Sequence, residues 1–137
     1  MDQEKNRFLH GELTEKAIGV FFEVYNELGH GFLESVYVKS LLCALQDAGI
    51  RAESEKPLEV WFRTHLVGEF RTDLLLEGSV IVEVKAARCL DPIHEAQLLN
   101  YLRASTAEVG LLFNFGPKAG FKRFIFPNSK KKLSSSR

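Results

Sequence analysis

Three charged residues interrupt two apolar runs in the middle of the chain: Asp73, Glu83 and Lys85. The runs flank a Glu-Gly-Ser turn at residues 77–79, and the second run alternates apolar and charged residues, which predicts a β-hairpin. Because successive side chains of a strand point to opposite faces, Glu83 and Lys85 share one face, and the valines on either side of Glu83 share the other. The valines can therefore lie in a core while the charged pair faces a cleft.

The turn also predicts which residues of the two strands oppose each other. Pairing about Gly78 places Asp73 across from Glu83 or one step away, with the two Cβ atoms roughly 5 Å apart. Two carboxylates so placed repel each other, and the ammonium of Lys85 offsets this repulsion only in part. A hard divalent cation bound between them removes the repulsion. The hairpin is therefore predicted to bind a metal ion; the alternative is a surface strand pair with solvated charges.

The same residues resemble the core of a known nuclease superfamily. Asp73, followed ten residues later by Glu83-Val84-Lys85, is similar to the D…ExK pattern of the PD-(D/E)XK nucleases. Thr72 stands where the name of that superfamily has proline, a position at which proline is commonly absent.

Two further motifs occur in the order that this resemblance requires. Gly31, Glu34 and Tyr37 have the spacing of the GxxExxY motif, which names one branch of the superfamily. Gln97 and Tyr101 resemble the Q-x-x-x-Y motif of the exonuclease-like branch. The resemblance extends over residues 13–126.

The resemblance implies a role for each matching residue. Mg²⁺ or Mn²⁺ is bound by four groups: the carboxylates of Asp73, Glu83 and Glu34, the last directly or through water, and the backbone carbonyl of Val84. Lys85 orients or deprotonates the attacking water and contacts the scissile phosphate. For Glu34, the alternative is a purely structural role as an acidic residue in the first turn of a helix.

Other candidates lie along the third predicted helix and at the edge of the cleft. The resemblance implies that Gln97 reaches water or phosphate and that Tyr101 contacts DNA. His94 shares a helical stripe with both and is a further candidate for nucleic-acid contact. Tyr37 is the last such candidate, although its hydroxyl is expected to be hydrogen-bonded at the cleft edge. For Tyr101 and His94 the alternative is a packing or helix-end role.

Hydrophobic periodicity and turn signals predict eight elements. Helices are expected at residues 13–28, 33–48 and 92–104, with Thr14 and Asp91 as N-caps of the first and third. Strands are expected at residues 58–63, 67–76, 79–86, 109–115 and 121–126. The order ααβββαββ indicates an α/β fold with a mixed central sheet flanked by helices, and the resemblance implies a restriction-endonuclease-like core.

Length and composition limit the function classes. The 137 residues correspond to one domain, with 45% hydrophobic and 26% charged residues, which is typical of a globular protein. No apolar run approaches the roughly 18 residues of a membrane span, and no signal-peptide pattern begins the chain, so a cytosolic protein is expected. Cys43 and Cys89 lack metal-ligand spacing and are expected to be buried or free thiols.

Charge is distributed unevenly along the chain. Residues 118–137 hold seven basic and no acidic residues, which leaves 11 basic and 18 acidic residues in the rest, a balance of −7. We divide the chain into a flexible N-terminal segment (1–12), a nuclease-like domain (13–127) and a basic tail (128–137). The tail either contacts a phosphate backbone or is simply solvated.

Two functions from different classes remain open from the sequence. The first is a metal-dependent nuclease acting on nucleic acid, DNA in preference to RNA. The second is a non-catalytic nucleic-acid-binding or regulatory module that retains the fold. The acidic body counts against extensive nucleic-acid contact in either case, because nucleic-acid binders usually have a basic surface and here only the tail is basic. A chain of this size has no separate recognition domain, so a sequence-specific enzyme would need a homodimer or a protein partner.

Overall fold

A five-stranded mixed sheet forms the centre of the computed structural model, which describes residues 10–131. The helices and strands in chain order are α1 (Gly11–Leu28), α2 (Glu34–Asp47), β1 (Ala52–Phe62), β2 (His65–Leu76), β3 (Val80–Lys85), α3 (Pro92–Ala104), β4 (Val109–Phe115) and β5 (Ala119–Ile125). A short 3₁₀ helix, Asn128–Lys130, follows β5. The predicted order ααβββαββ and the restriction-endonuclease-like α/β fold are confirmed.

The strands lie in the sheet in chain order, β1 to β5. Only β3 and β4 are parallel, and α3 makes the crossover between them. Helices α1 and α2 cover one face of the sheet, and α3 covers the other. All seven residues of β4 are buried, because helices cover both faces of this strand. Strands β1 and β5 form the two edges of the sheet.

Strand β3 shows how the alternation of side chains positions the charged residues. Val80, Val82 and Val84 are buried in the core formed with α1 and α2. Ile81 is buried in the core formed with α3. Glu83 and Lys85 continue the register of Ile81 and therefore lie on the α3 face, which confirms the predicted separation of valines from charges.

The first helix and the first strand begin earlier than predicted. Helix α1 includes Gly11, and Thr14 is not its N-cap, because the Thr14 hydroxyl donates to the Gly11 carbonyl within the first turn. Strand β1 begins at Ala52 and passes through Pro57. Because β1 is an edge strand, a proline without an N–H is tolerated in it.

The predicted terminal segments fall mostly outside the described part of the chain, namely at residues 1–9 and 132–137. At the C-terminal side, Lys131 is not a solvated residue of a free tail: its ammonium donates to the carbonyls of Ser105 and Ala107, both at 2.7 Å. Cys43 and Cys89 are free and exposed. Of the three helices between residues 10 and 131, none combines the length and apolar character needed to cross a membrane.

Candidate active site

The hairpin of β2 and β3 opens where its two carboxylates meet. Backbone pairing ends at Leu74 opposite Val82, so Asp73 and Glu83 are the next opposed pair, as the predicted register requires. Their side chains take the place of the missing backbone hydrogen bonds: Glu83 Oε2 accepts the Asp73 N–H at 2.9 Å, and Asp73 Oδ2 accepts the Val84 N–H at 2.7 Å. Two strands are therefore held together by two reciprocal carboxylate bonds, which fixes both acidic groups relative to the backbone.

Burial makes ionisation of these carboxylates less favourable. Burial, and after it the neighbouring charge of Asp73, raise the pKa of Glu83 to about 7 against the opposing effects of the Asp73 N–H and Lys85. Burial also raises the pKa of Asp73, while the Val84 N–H and Lys85 oppose this shift. The ammonium of Lys85 thus acts on both groups without compensating the cost of burial.

Glu34 brings a third negative charge to the same region. It is the first residue of α2 and is exposed, and its charge raises the pKa of both Asp73 and Glu83. Together with Asp73 it lines a groove of about 450 Å³, in which Glu55 is a fourth acidic residue. Glu34 and Asp73, far apart in sequence, therefore line one groove, and the charge of Glu34 also acts on Glu83.

Helix α3 places Tyr101 near the same carboxylates. The charges of Glu83 and Asp73 raise the pKa of the Tyr101 hydroxyl, after the larger effect of burial. Its ring stacks on Phe70 of β2, with centroids 3.9 Å apart and an interplanar angle of 7°. Gln97, one turn earlier, is exposed, and its side chain makes no hydrogen bond within residues 10–131.

Two candidates from the sequence have structural roles in the fold. His94 completes a capping box at the start of α3, where its Nδ1 accepts the Asp91 N–H at 3.2 Å.

Tyr37 is fully buried against Phe115, and its hydroxyl donates to the Gly29 carbonyl at 2.7 Å and accepts the Phe32 N–H at 3.1 Å. The fully buried Tyr37 ring cannot contact a nucleic acid in this structure, whereas its hydroxyl is hydrogen-bonded as expected. Its hydroxyl shapes the turn that precedes Glu34.

The donor set fits a hard divalent cation. Each hairpin carboxylate uses one oxygen for its backbone bond, which leaves Oδ1 of Asp73 and Oε1 of Glu83 as donors. Within residues 10–131, no three Asp, Glu, His or Cys side chains are grouped as a metal cage. Two carboxylates with the remaining positions left to water and substrate oxygens is the arrangement that Mg²⁺ commonly adopts.

Sequence reasoning missed two residues near the site. Phe70 carries no sequence signal for its stacking on Tyr101, because the contact joins residues 31 positions apart. Asn114 does carry one: it is the single polar residue in the apolar run of β4. A buried polar residue in such a run needs a specific hydrogen-bonding partner.

The pKa of Glu83 predicts how stability depends on pH. Folding raises this pKa from its ordinary value of 4.5 to about 7, so between these values the folded state holds more protons than the unfolded state. The stabilising contribution is complete below about pH 4.5 and is lost as pH rises through about 7. Without metal, we expect the wild type to lose roughly 1–3 kcal/mol of unfolding free energy between about pH 5 and 8.

Denaturant titrations in EDTA at several pH values measure this loss. Glu83→Gln should remove most of the pH dependence, because the amide does not titrate. Glu23→Gln, a change on the exposed face of α1, is the matched control and should behave as the wild type. Equal pH slopes for wild type and Glu83→Gln would contradict the prediction.

Comparisons with known proteins agree with this geometry. No curated protein matches the chain. A solved structure described as the crystal structure of SSO0001 is similar with a TM-score of 0.56 and 22% identity, over 90% of this chain. At that identity the likeness shows the fold alone, and the present chain spans 62% of the length of that structure. The family model of the PD-(D/E)XK nuclease superfamily matches residues 11–124. Since this match covers nearly the whole described region, the chain belongs to the PD-(D/E)XK nuclease superfamily.

Proposed function

We propose that the protein is a nuclease that uses Mg²⁺ or Mn²⁺ to hydrolyse phosphodiester bonds, in DNA rather than RNA. Members of this superfamily are typically nucleases and generally use divalent metal ions. The observation that carries the proposal is the reciprocal bonding of Asp73 and Glu83, which holds two carboxylates of raised pKa on the α3 face beside Lys85. Assignment to the GxxExxY branch is part of this proposal.

The metal would be held by Asp73, Glu83 and the backbone carbonyl of Val84, with Glu34 directly or through water. A divalent cation in such a site supplies positive charge to the phosphate and lowers the pKa of water. The reciprocal backbone bonds keep the two carboxylates from moving apart, so the site needs little rearrangement on binding.

Four side chains would act on the substrate or on the water. The ammonium of Lys85 orients the attacking water and contacts the scissile phosphate, at which negative charge accumulates in the transition state. Glu34 adds negative charge at the cleft and helps to select a cation there. Gln97 donates to phosphate or water from the exposed face of α3, and Tyr101 contacts the nucleic acid beside it.

Purified protein incubated with labelled single- and double-stranded DNA and RNA tests the proposal. Cleavage is expected with Mg²⁺ or Mn²⁺ and not with EDTA, and DNA should be cut faster than RNA. Glu83→Gln is the inactive control. Gel filtration with light scattering on the same sample would show whether the active species is a homodimer.

A non-catalytic nucleic-acid-binding or regulatory module is the second candidate; the acidic balance of −7 over residues 1–117 favours a regulatory role over nucleic-acid binding within it. Metal-independent binding of nucleic acid with no cleavage under any condition would select this function and overturn the first. The slope of the logarithm of binding affinity against the logarithm of salt concentration would then give the number of phosphates that the protein contacts.

Glu34→Gln separates a structural from a catalytic role of Glu34. If Glu34 only stabilises the start of α2, the change should cost at most about 1 kcal/mol and leave activity intact. We expect the opposite: cleavage falls at least about tenfold, because a negative charge near the cation is lost, while the denaturation midpoint hardly changes. Glu27→Gln, an exposed change near the end of α1, is the control. A destabilised but fully active Glu34→Gln would refute the cleft role.

A further inference from the structure

Asn114 is a buried polar residue that the proposed reaction does not use. Only 3% of its surface is exposed. It lies in β4 directly opposite Lys85, the last residue of β3. A buried amide destabilises the fold unless its hydrogen-bonding groups are satisfied, so its partners indicate its role.

Both polar groups of the Asn114 side chain bind the backbone of Ala87. Oδ1 accepts the Ala87 N–H at 2.9 Å, and Nδ2 donates to the Ala87 carbonyl at 3.0 Å. Only this orientation of the amide satisfies both groups. Because the β3–β4 backbone ladder ends at Lys85, the side chain supplies a further rung and ties the residues after Lys85 to β4.

Gly116, directly after β4, lies close to the backbone of Ala87. A Cβ at Gly116 would lie 2.4 Å from the Ala87 carbonyl oxygen and 2.9 Å from Asn114 Nδ2, so no side chain fits there. The Gly116 carbonyl accepts the hydroxyl of Tyr25 on α1 at 2.6 Å. Ala87 is therefore held against a strand end that is itself bonded to the helix layer.

We propose that Asn114 is a positioning residue: by clamping Ala87 it fixes the end of β3 and keeps Lys85 on the sheet face that carries the Asp73–Glu83 pair. This proposal rests on the proposed nuclease function. Terminal residues of a strand open locally unless they are tied down, and a displaced Lys85 backbone would shift the region that its ammonium can reach. A displacement of about 1 Å at a reacting group can lower a rate about 100-fold.

Hydrogen exchange and kinetics on Asn114→Ala test the clamp. The amides of residues 85–88 should exchange at least about tenfold faster. At a temperature where the variant is folded, kcat should fall at least about tenfold and KM should change less than about twofold, because orientation and not binding is lost. Ser105→Ala is the matched control: its buried hydroxyl accepts the Ala107 N–H before β4, at the opposite end of that strand. It should leave kcat and residues 85–88 unchanged.

Either of two results would overturn the clamp: unchanged exchange at residues 85–88, or faster exchange with wild-type kcat. If Asn114→Ala does not fold, Asn114→Asp keeps the acceptor for the Ala87 N–H and loses the donor. It should then show faster exchange and a reduced kcat, and wild-type values of both would overturn the proposal. If the wild type cleaves no substrate, the proposed function fails, whereas faster exchange confined to residues 85–88 in the variant still supports the clamp.

Discussion

Lys85→Ala should abolish cleavage and leave the fold intact. Lys85 is half-buried at the end of β3 and belongs to neither hydrophobic core cluster, so its removal opens no cavity in the sheet. Its ammonium is the cation that acts on both Asp73 and Glu83, and we place it at the water and the phosphate. Loss of such a group typically lowers a rate about 10²–10⁴-fold. Single-turnover cleavage with saturating metal measures the effect.

Two further variants show whether the effect is specific to this ammonium. Lys16→Ala removes an exposed lysine of α1 and should cleave as the wild type does. Lys85→Arg keeps the charge but replaces a compact ammonium with a planar guanidinium, so it should recover little activity. A wild-type rate for Lys85→Ala would remove Lys85 from the mechanism. Loss of folding in that variant would indicate a structural role.

Asp73→Asn should eliminate binding of Mg²⁺ or Mn²⁺ and, with it, cleavage. The amide oxygen of asparagine can still accept the Val84 N–H, so the hairpin should remain closed. The amide has no negative charge to offer a divalent cation, and it no longer repels Glu83. The metal-free variant is therefore expected to be as stable as the wild type, or slightly more stable at about pH 8.

Isothermal titration calorimetry and thermal melts with and without metal measure this loss. In the wild type, metal should raise the melting temperature by mass action, and in Asp73→Asn the melting temperature should not respond. Asp47→Asn, at the exposed end of α2, controls for the change of charge and should respond as the wild type does. Equal metal binding by Asp73→Asn and wild type would overturn the site.

The sequence was sufficient to predict structural features that depend on local interactions. Alternation within β3 and the turn at Gly78 determined that Asp73 opposes Glu83 and that Glu83 and Lys85 face away from the valines. The boundaries of α3 and β4 were also correct, since a capping aspartate before proline and a continuous apolar run are short-range signals. Such patterns depend on residues a few positions apart, which is why they can be read without a structure.

The boundaries of β1 could not be predicted from local sequence patterns. Pro57 and the charged residues before it indicate a loop, yet these residues form an edge strand because β2 supplies a long antiparallel partner. Strand propensity depends on the neighbouring strand and on burial, and neither is encoded in the local pattern.

Only the tertiary structure decided what several site candidates do. Tyr37 occupies a motif position and His94 shares a helical stripe with Gln97, but packing on Phe115 and the cap of α3 engage their side chains. The stacking of Tyr101 on Phe70 joins residues 31 positions apart, and the hydrogen bond between Asn114 and Ala87 joins residues 27 positions apart. The sequence alone determined which residue types the proposed site contains. How these residues lie relative to one another depends on long-range packing of α2, α3 and β4 around the hairpin, and such contacts exist only once the sheet has assembled.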